Sequence, residues 1–173
     1  MSATVTGSEI VRVLAGYLWD HPEETDGLAP LYEATLDHIR DGGCPHRERC
    51  PHVLAGAVLV NERHEVLLLR REGVWGLPEG PPLPGDHTLD HTALRVLRDT
   101  TALHHAWGDP APFHIDLGES LIRSRVGFRF LFHTHTTALL SVLTRHGLAQ
   151  WVPPHTLGTP LAGRIQARLV RRA

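Results

Sequence analysis

The stretch from Trp75 to Leu103 reads WGLPEGPPLPGDHTLDHTALRVLRDTTAL, and it decides the fold. The run of proline and glycine between Pro78 and Gly85 predicts an ordered loop. The residues that follow contain neither glycine nor proline, which predicts a helix with Asp86 or Thr88 as its N-cap. Apolar side chains recur in this helix at spacings of three and four, so one face should lie against a core; they are Leu89, Ala93, Val96 and Leu97, with Thr100 extending the row.

This stretch resembles the Nudix box, a loop-helix-loop with the pattern G-x5-E-x7-R-E-U-x-E-E-x-G-U, in which U is aliphatic. Gly80 stands at the first glycine and Asp86 at the first acid. Arg95 stands at the arginine if the second gap is eight residues, and we expect the extra residue in the turn at the helix start. The rest of the box then falls in order on Val96, Leu97, Asp99, Thr100, Ala102 and Leu103.

The resemblance is incomplete where the family carries its acids. Positions 96, 99 and 100 are spaced i, i+3 and i+4, so three carboxylates there would converge on one helix face. That arrangement suits Mg2+, which prefers oxygen ligands and shares its shell with substrate phosphates. Here valine and threonine replace two of the three, so Asp99 and Asp86 remain as weak Mg2+ ligands. Ordinary Nudix hydrolysis should therefore be impaired. The alternative is that Asp86 only caps the helix and Asp99 is a solvated surface acid.

The flanking sequence extends the resemblance. His52–Val60, the turn at 61–65 and Val66–Arg70 predict a strand, a turn and a strand before the loop. Further strands are predicted at Phe113–Leu117, at Gly127–His133 and around Trp151. The resemblance therefore implies an α/β fold, a Nudix-type alpha/beta/alpha sandwich with a mixed sheet, spanning residues 49–173.

Residues 1–48 form an N-terminal helical extension in this interpretation. Apolar stripes predict helices over Glu9–Leu18, capped by Thr6 or Ser8, and over Leu28–Ile39. These helices have no core of their own. They should therefore pack on the Nudix-like domain or, less favourably, form a homodimer.

Composition sets wider limits. A chain of 173 residues with 42% hydrophobic content suits one core plus an extension, and a net charge of -2 predicts neither nucleic-acid nor membrane partners. No apolar window reaches the length of a membrane span and no basic-then-apolar leader is present, which predicts a cytoplasmic protein. All 17 basic residues are arginine, which is typical of a GC-rich bacterial coding sequence.

Cys-Pro-His occurs twice between the extension and the domain, at Cys44 to His46 and at Cys50 to His52. Two thiolates and two imidazoles could hold tetrahedral Zn2+. The Cys-x5-Cys spacing is wider than usual, however, and adjacent ligand pairs would strain a loop this short. The alternatives are two reduced cysteines in an ordinary loop, which a cytoplasmic protein favours, and a disulfide.

Other side chains could carry chemistry in place of the lost acids. The candidate catalytic residues are Asp99, Glu79, Glu119 and His91, which lies i+4 from another histidine, His87. Glu79 occupies a position where the family usually has glycine. Arginines near the loop and on a later strand, with aromatic walls, predict a site for a small anionic or heteroaromatic ligand. These ligand-binding candidates are Arg70, Trp75, Arg125, Arg129 and Phe128.

Three functions follow from this pattern. The first is an enzyme of altered chemistry on a small anionic or nucleotide-like metabolite, recruited to a specialised biosynthetic pathway. The second is a catalytically silent ligand-binding or interaction module. The third is a weak metal-dependent hydrolase of nucleoside diphosphate derivatives. The sequence favours the first function most, and it favours the second over the third.

Overall fold

The computed structural model describes residues 5–40, 51–119, 124–135 and 141–170. The chain begins with two helices, α1 (Gly7–Asp20) and α2 (Thr25–Arg40), joined by a short 3-10 turn at Pro22–Glu24. The Thr6 hydroxyl accepts the Glu9 N–H at 3.3 Å, so this threonine is the N-cap of α1.

Within the described residues, the centre of the protein is an eight-stranded mixed sheet. Its strands are β1 (His52–Val60), β2 (Val66–Arg71), β3 (Val74–Gly76), β4 (Glu79–Gly80), β5 (Trp107–Gly108), β6 (His114–Glu119), β7 (Ser124–His133) and β8 (Ala149–Val152). β1 and β7 run parallel through the middle, and the other pairings are antiparallel. β1 is buried on both faces, which explains its continuous apolar sequence.

Each face of the sheet is covered by helices. On the α3 face, alternate residues of β1 and β7 pack with α1 and with α3 (Leu89–Thr101); they include Ala55, Ala57, Phe128 and Phe130, which meet Leu14, Ala93 and Leu97. On the α5 face, Val58, Val60 and Leu131 pack with Ile165 and Leu169 of α5 (Thr159–Val170). A short helix, α4 (Ser141–Arg145), precedes β8. The architecture is therefore the predicted alpha/beta/alpha sandwich with a mixed sheet.

The N-terminal extension is part of this core. Val13, Leu14 and Tyr17 of α1 and Leu28 of α2 are buried in the same cluster as the apolar stripe of α3. The expectation that the extension packs on the domain is confirmed by these contacts, and the homodimer stays a prediction. The boundary proposed near residue 48 falls in 41–50, outside the described residues.

The first and last helices of the described chain are also joined by polar contacts. Arg164 of α5 donates to the Tyr17 hydroxyl of α1 and forms an ion pair with Glu24. Tyr17 in turn donates to Glu24 at 3.0 Å.

No helix in the described parts of the chain combines the length and the apolar character needed to cross a membrane.

Candidate functional site

At positions 96, 99 and 100 of α3, where the Nudix box has acidic residues, the side chains do not form a cluster of carboxylates. Val96 is 5% exposed, and its Cγ2 lies 3.0 Å from the point where a side chain on Gly80 would begin. The Thr100 hydroxyl donates to the Val96 carbonyl at 2.7 Å, so it is engaged with the helix backbone. The exposed carboxylate of Asp99 is 3.3 Å from Nη1 of Arg95. Asp99 is thus the one acid among these three positions.

Asp86 fastens the loop to the helix. Its buried carboxylate accepts hydrogen bonds from the Leu83 N–H at 2.9 Å, the Thr92 hydroxyl at 3.1 Å and Nε of Arg95 at 3.0 Å. Burial opposes ionisation, but these hydrogen bonds and the charge of Arg95 outweigh it and hold the pKa of Asp86 below its ordinary value. Its oxygens are therefore engaged in supporting the fold, and Thr88 is the N-cap of α3.

The C-terminal end of α3 keeps the backbone shape expected of a glycine. Ala102 caps the helix in the left-handed region at φ 55°, and its N–H donates to the Arg98 carbonyl. Ala102 stands at the second glycine of the Nudix box. The frame of the box is therefore retained even where its side chains have changed.

Replacing Ala102 with glycine should raise the free energy of unfolding by about 0.5–1 kcal/mol. The left-handed conformation costs an alanine about 1–2 kcal/mol, and the greater freedom of glycine in the unfolded chain offsets part of that gain. Urea denaturation measures the difference. Ala93→Gly, in the middle of the same helix, should be destabilising, and a loss of stability in both variants would contradict the argument.

A cluster of four charged side chains lies on the α5 face, beside one glycine of β1 and one of β7. Arg129 of β7 is 5% exposed and donates to Asp116 of β6 at 3.0 and 2.7 Å. On its other side Arg129 forms an ion pair with Glu79 of β4, which also pairs with Arg125. We call Glu79, Asp116, Arg125 and Arg129 the charged cluster. Burial alone would lower the pKa of Arg129, but the two carboxylates raise it and keep the guanidinium charged.

Glycines make room for this cluster. A Cβ on Gly56 would collide with Nη1 of Arg129, and one on Gly127 would collide with the Asp116 carboxylate. Both glycines lie inside strands, where a residue without a side chain commonly marks the close approach of another group. The guanidinium of Arg129 therefore lies in a space that a larger residue at position 56 or 127 would fill.

The remaining ligand-binding candidates divide between the two faces. Arg70 and Trp75 are register partners in β2 and β3, and the guanidinium lies 6.0 Å from the centre of the indole ring. Because Val66 packs on the α5 face and side chains alternate, Arg70 shares the face of the charged cluster. Phe128 is fully buried among the core residues of the α3 face, so it does not line this surface.

Other predicted residues are placed less centrally. His91 is exposed in the first turn of α3, where its ring meets His87 edge-on at 6.3 Å. Glu119 ends β6, but its side chain is outside the described residues, as are Cys44, His46 and Cys50. His52 is exposed at the start of β1. The zinc site therefore stays a prediction.

His114 lies next to the charged cluster, and no motif in the sequence marks it as a site residue. It pairs in register with Arg129, is 8% exposed, and its Nδ1 has no hydrogen-bond partner among the described residues. Burial lowers the pKa of His114; the charges of Arg129 and His21 act in the same direction, and Asp116 opposes them. The sequence signal for this histidine was its place one residue after Phe113 in an apolar strand.

His114 should make the protein sensitive to mild acid. Its folded pKa lies below the unfolded value of about 6.5, so the unfolded state binds more protons as the pH falls below that value. The contribution of His114 is therefore complete above about pH 6.5 and is lost as the pH falls toward the folded pKa. Denaturation of wild type and His114→Phe at pH 7.5 and 5.5 tests this, with the exposed His155→Phe as control. An undiminished pH dependence in His114→Phe would refute it.

The donors present do not fit a magnesium site of the family's kind. Nudix hydrolases generally use a divalent metal such as Mg2+. Here Asp86 is enclosed by donors and Asp99 is paired with Arg95, while Val96 has no side-chain oxygen and Thr100 offers only a neutral hydroxyl. In the described parts of the chain, the one group of three suitable residues lies elsewhere, at His21, Glu23 and Glu24, where Arg164 already neutralises Glu24.

Comparison with known proteins identifies the fold. No protein-family profile and no curated protein matches the chain. NrtR from Shewanella oneidensis is 22% identical over 70% of this chain, with a TM-score of 0.54. The C. elegans Ap4A hydrolase is 13% identical over 71% of this chain and 99% of its own, with a TM-score of 0.56. A mutT/nudix family protein from Listeria innocua is 13% identical over 72% of this chain and 98% of its own, with a TM-score of 0.50.

These similarities show that the chain has the Nudix fold. This chain spans 64% of the length of the NrtR chain. NrtR has also been solved in complex with a 27mer DNA. The expectation that this chain has no nucleic-acid partner therefore stays a prediction.

Proposed function

We propose that this Nudix-fold protein binds a small anionic or nucleotide-like metabolite and does not carry out the metal-dependent hydrolysis typical of the fold. The observation that carries this proposal is the state of positions 96, 99 and 100. One is a packed valine, one a threonine bonded to the helix backbone, and one an aspartate paired with Arg95. A single exposed carboxylate competes poorly with water for Mg2+.

The binding surface in this proposal lies on the α5 face. Arg70 and the partly exposed ring of Trp75 would contact a flat or anionic group, since a guanidinium and an indole offer charge and stacking together. The charged cluster would supply directional hydrogen bonds at the same face. Arg125 is its more accessible cation, because Arg129 is buried between two carboxylates.

The test separates binding from turnover. AMP, ADP, Ap4A and ribose 5-phosphate are titrated calorimetrically with and without Mg2+, and each mixture is then examined for products. We expect at least one ligand to bind equally well in both conditions and to be recovered intact. Arg70→Ala should weaken that binding about tenfold, which corresponds to about 1.4 kcal/mol. Arg98→Ala, an exposed arginine on α3, is the matched control. Mg2+-stimulated hydrolysis abolished by Asp99→Asn would overturn the proposal and favour the weak hydrolase.

A second candidate is the enzyme of altered chemistry in a biosynthetic pathway. Glu79 favours it, because this carboxylate replaces the family's usual glycine and remains partly exposed beside two arginines. Conversion of a bound ligand into a product other than a hydrolysis product, abolished by Glu79→Gln, would support this candidate over silent binding. A bound ligand recovered unchanged under all conditions would exclude it for that ligand.

A further inference from the structure

The carboxylate of Glu79 bridges two cations. One oxygen accepts from Nη2 of Arg125 and the other from Nη1 of Arg129. Charge-assisted hydrogen bonds from two guanidinium groups to one carboxylate are the means by which proteins commonly hold oxyanions. Glu79 thus occupies the position that a bound anion would take between these arginines.

Arg129 does not depend on Glu79 alone for its place. Asp116 holds Nε and Nη2 of Arg129, and Gly56 and Gly127 provide the space in which that guanidinium lies. Without Glu79, the cluster would keep two cations and one carboxylate. One uncompensated positive charge would then remain beside a buried arginine, and such a charge strongly favours an incoming anion.

We propose that Arg125 and Arg129 form an oxyanion-binding subsite, that Glu79 is its internal occupant, and that a ligand carboxylate or phosphate takes the place of the Glu79 carboxylate. The ligand class is an oxyanion small enough to accept one hydrogen bond from each guanidinium. This inference names the group recognised within the proposed binding surface, and in that respect it rests on the proposed function.

The backbone around Glu79 allows this exchange by rotation of the side chain. β4 is fixed by its pairing with Ala55 and Gly56, and the Glu79 carbonyl accepts from Nη1 of Arg71 at 3.1 Å. The side chain itself is 25% exposed, so it is already in partial contact with solvent. Its carboxylate can therefore leave for water while the strand stays in place.

The test is chemical rescue of Glu79→Ala. Melting temperatures are measured in sodium formate, acetate and phosphate against sodium chloride of equal ionic strength. We expect an oxyanion at about ten times its Kd to raise the Tm of Glu79→Ala by about 3–5 °C over chloride. Glu79→Gln should show little of this rise, because its amide fills the same space. Glu9→Ala, which removes the partner of the exposed Arg12, should show none.

A further variant tests whether the anion binds between Arg125 and Arg129. Adding Arg125→Ala to Glu79→Ala should abolish the rise, because one of the two donors is then missing. If Glu79→Ala is unfolded in chloride, recovery of a cooperative melting transition in formate is scored instead. Equal responses to chloride and oxyanions, or equal responses in Glu79→Ala and Glu79→Gln, would overturn the inference.

The oxyanion subsite and the proposed function can fail independently of each other. If the wild-type protein binds no metabolite while Glu79→Ala binds formate or phosphate, the proposed function fails and the subsite stands. If the wild-type protein binds a metabolite while Glu79→Ala gains no oxyanion response, the subsite fails and the proposed function stands.

Discussion

Replacing Arg129 with methionine should lower the free energy of unfolding by about 3 kcal/mol, as expected when one partner of a buried ion pair is removed. Methionine keeps much of the volume but supplies no charge and no hydrogen bonds. Asp116 then loses two hydrogen bonds and Glu79 loses one. Chemical denaturation in urea at neutral pH measures the change.

Arg125→Met is the matched control. Its side chain is more exposed and pairs with Glu79, so the expected cost is at most about 1 kcal/mol. Combining Arg129→Met with Asp116→Asn should restore part of the stability, because Asp116 is then neutral and Glu79 keeps its ion pair with Arg125. Equal losses for Arg129→Met and Arg125→Met would show that burial of Arg129 does not govern the energetics of the cluster.

Introducing glutamate at positions 96 and 100 together should create a magnesium site on this face of α3. With Asp99 the double variant has carboxylates at i, i+3 and i+4 of one helix face. Mutual repulsion should make it less stable than wild type without metal. Mg2+ at about 100 times its Kd should then raise the free energy of unfolding by about 2.7 kcal/mol. Melting curves with and without Mg2+ provide the measurement.

The control for this gain is the double variant with glutamine at the same positions, which matches the size but not the charge. It should gain no stability from Mg2+, and neither should wild type. A Mg2+ response of the same size in the glutamine variant would mean that the metal binds elsewhere. No response in the glutamate variant would mean that Val96 and Thr100 do not stand in for the box acids.

Local sequence predicted most of the fold. The apolar runs at His52–Val60 and Val66–Arg71 are strands with nearly the expected bounds, because burial on both faces of a central strand leaves a continuous pattern. The short strands β3, β4 and β5 contain two or three residues each, too few for any periodicity. Their existence depends on pairing with β1, β2 and β7, which no local pattern records.

The candidate site was predicted in part. Glu79, Arg125 and Arg129 were selected from the sequence, and the structure brings them together. Asp116 was missed because its contact with Arg129 depends on the register of β6 against β7. Phe128 was selected although the alternation that places Arg125 and Arg129 on one face places it on the other.

The contact between Tyr17 and Arg164 has a consequence for how the protein is made. A ribosome completes α1 long before it reaches α5, and until then the Tyr17 hydroxyl lacks the donor that completes its buried environment. Protease resistance of stalled nascent chains should therefore appear late, after α5 has left the exit tunnel. Synthesis of α5 therefore determines when α1 can complete its native contacts.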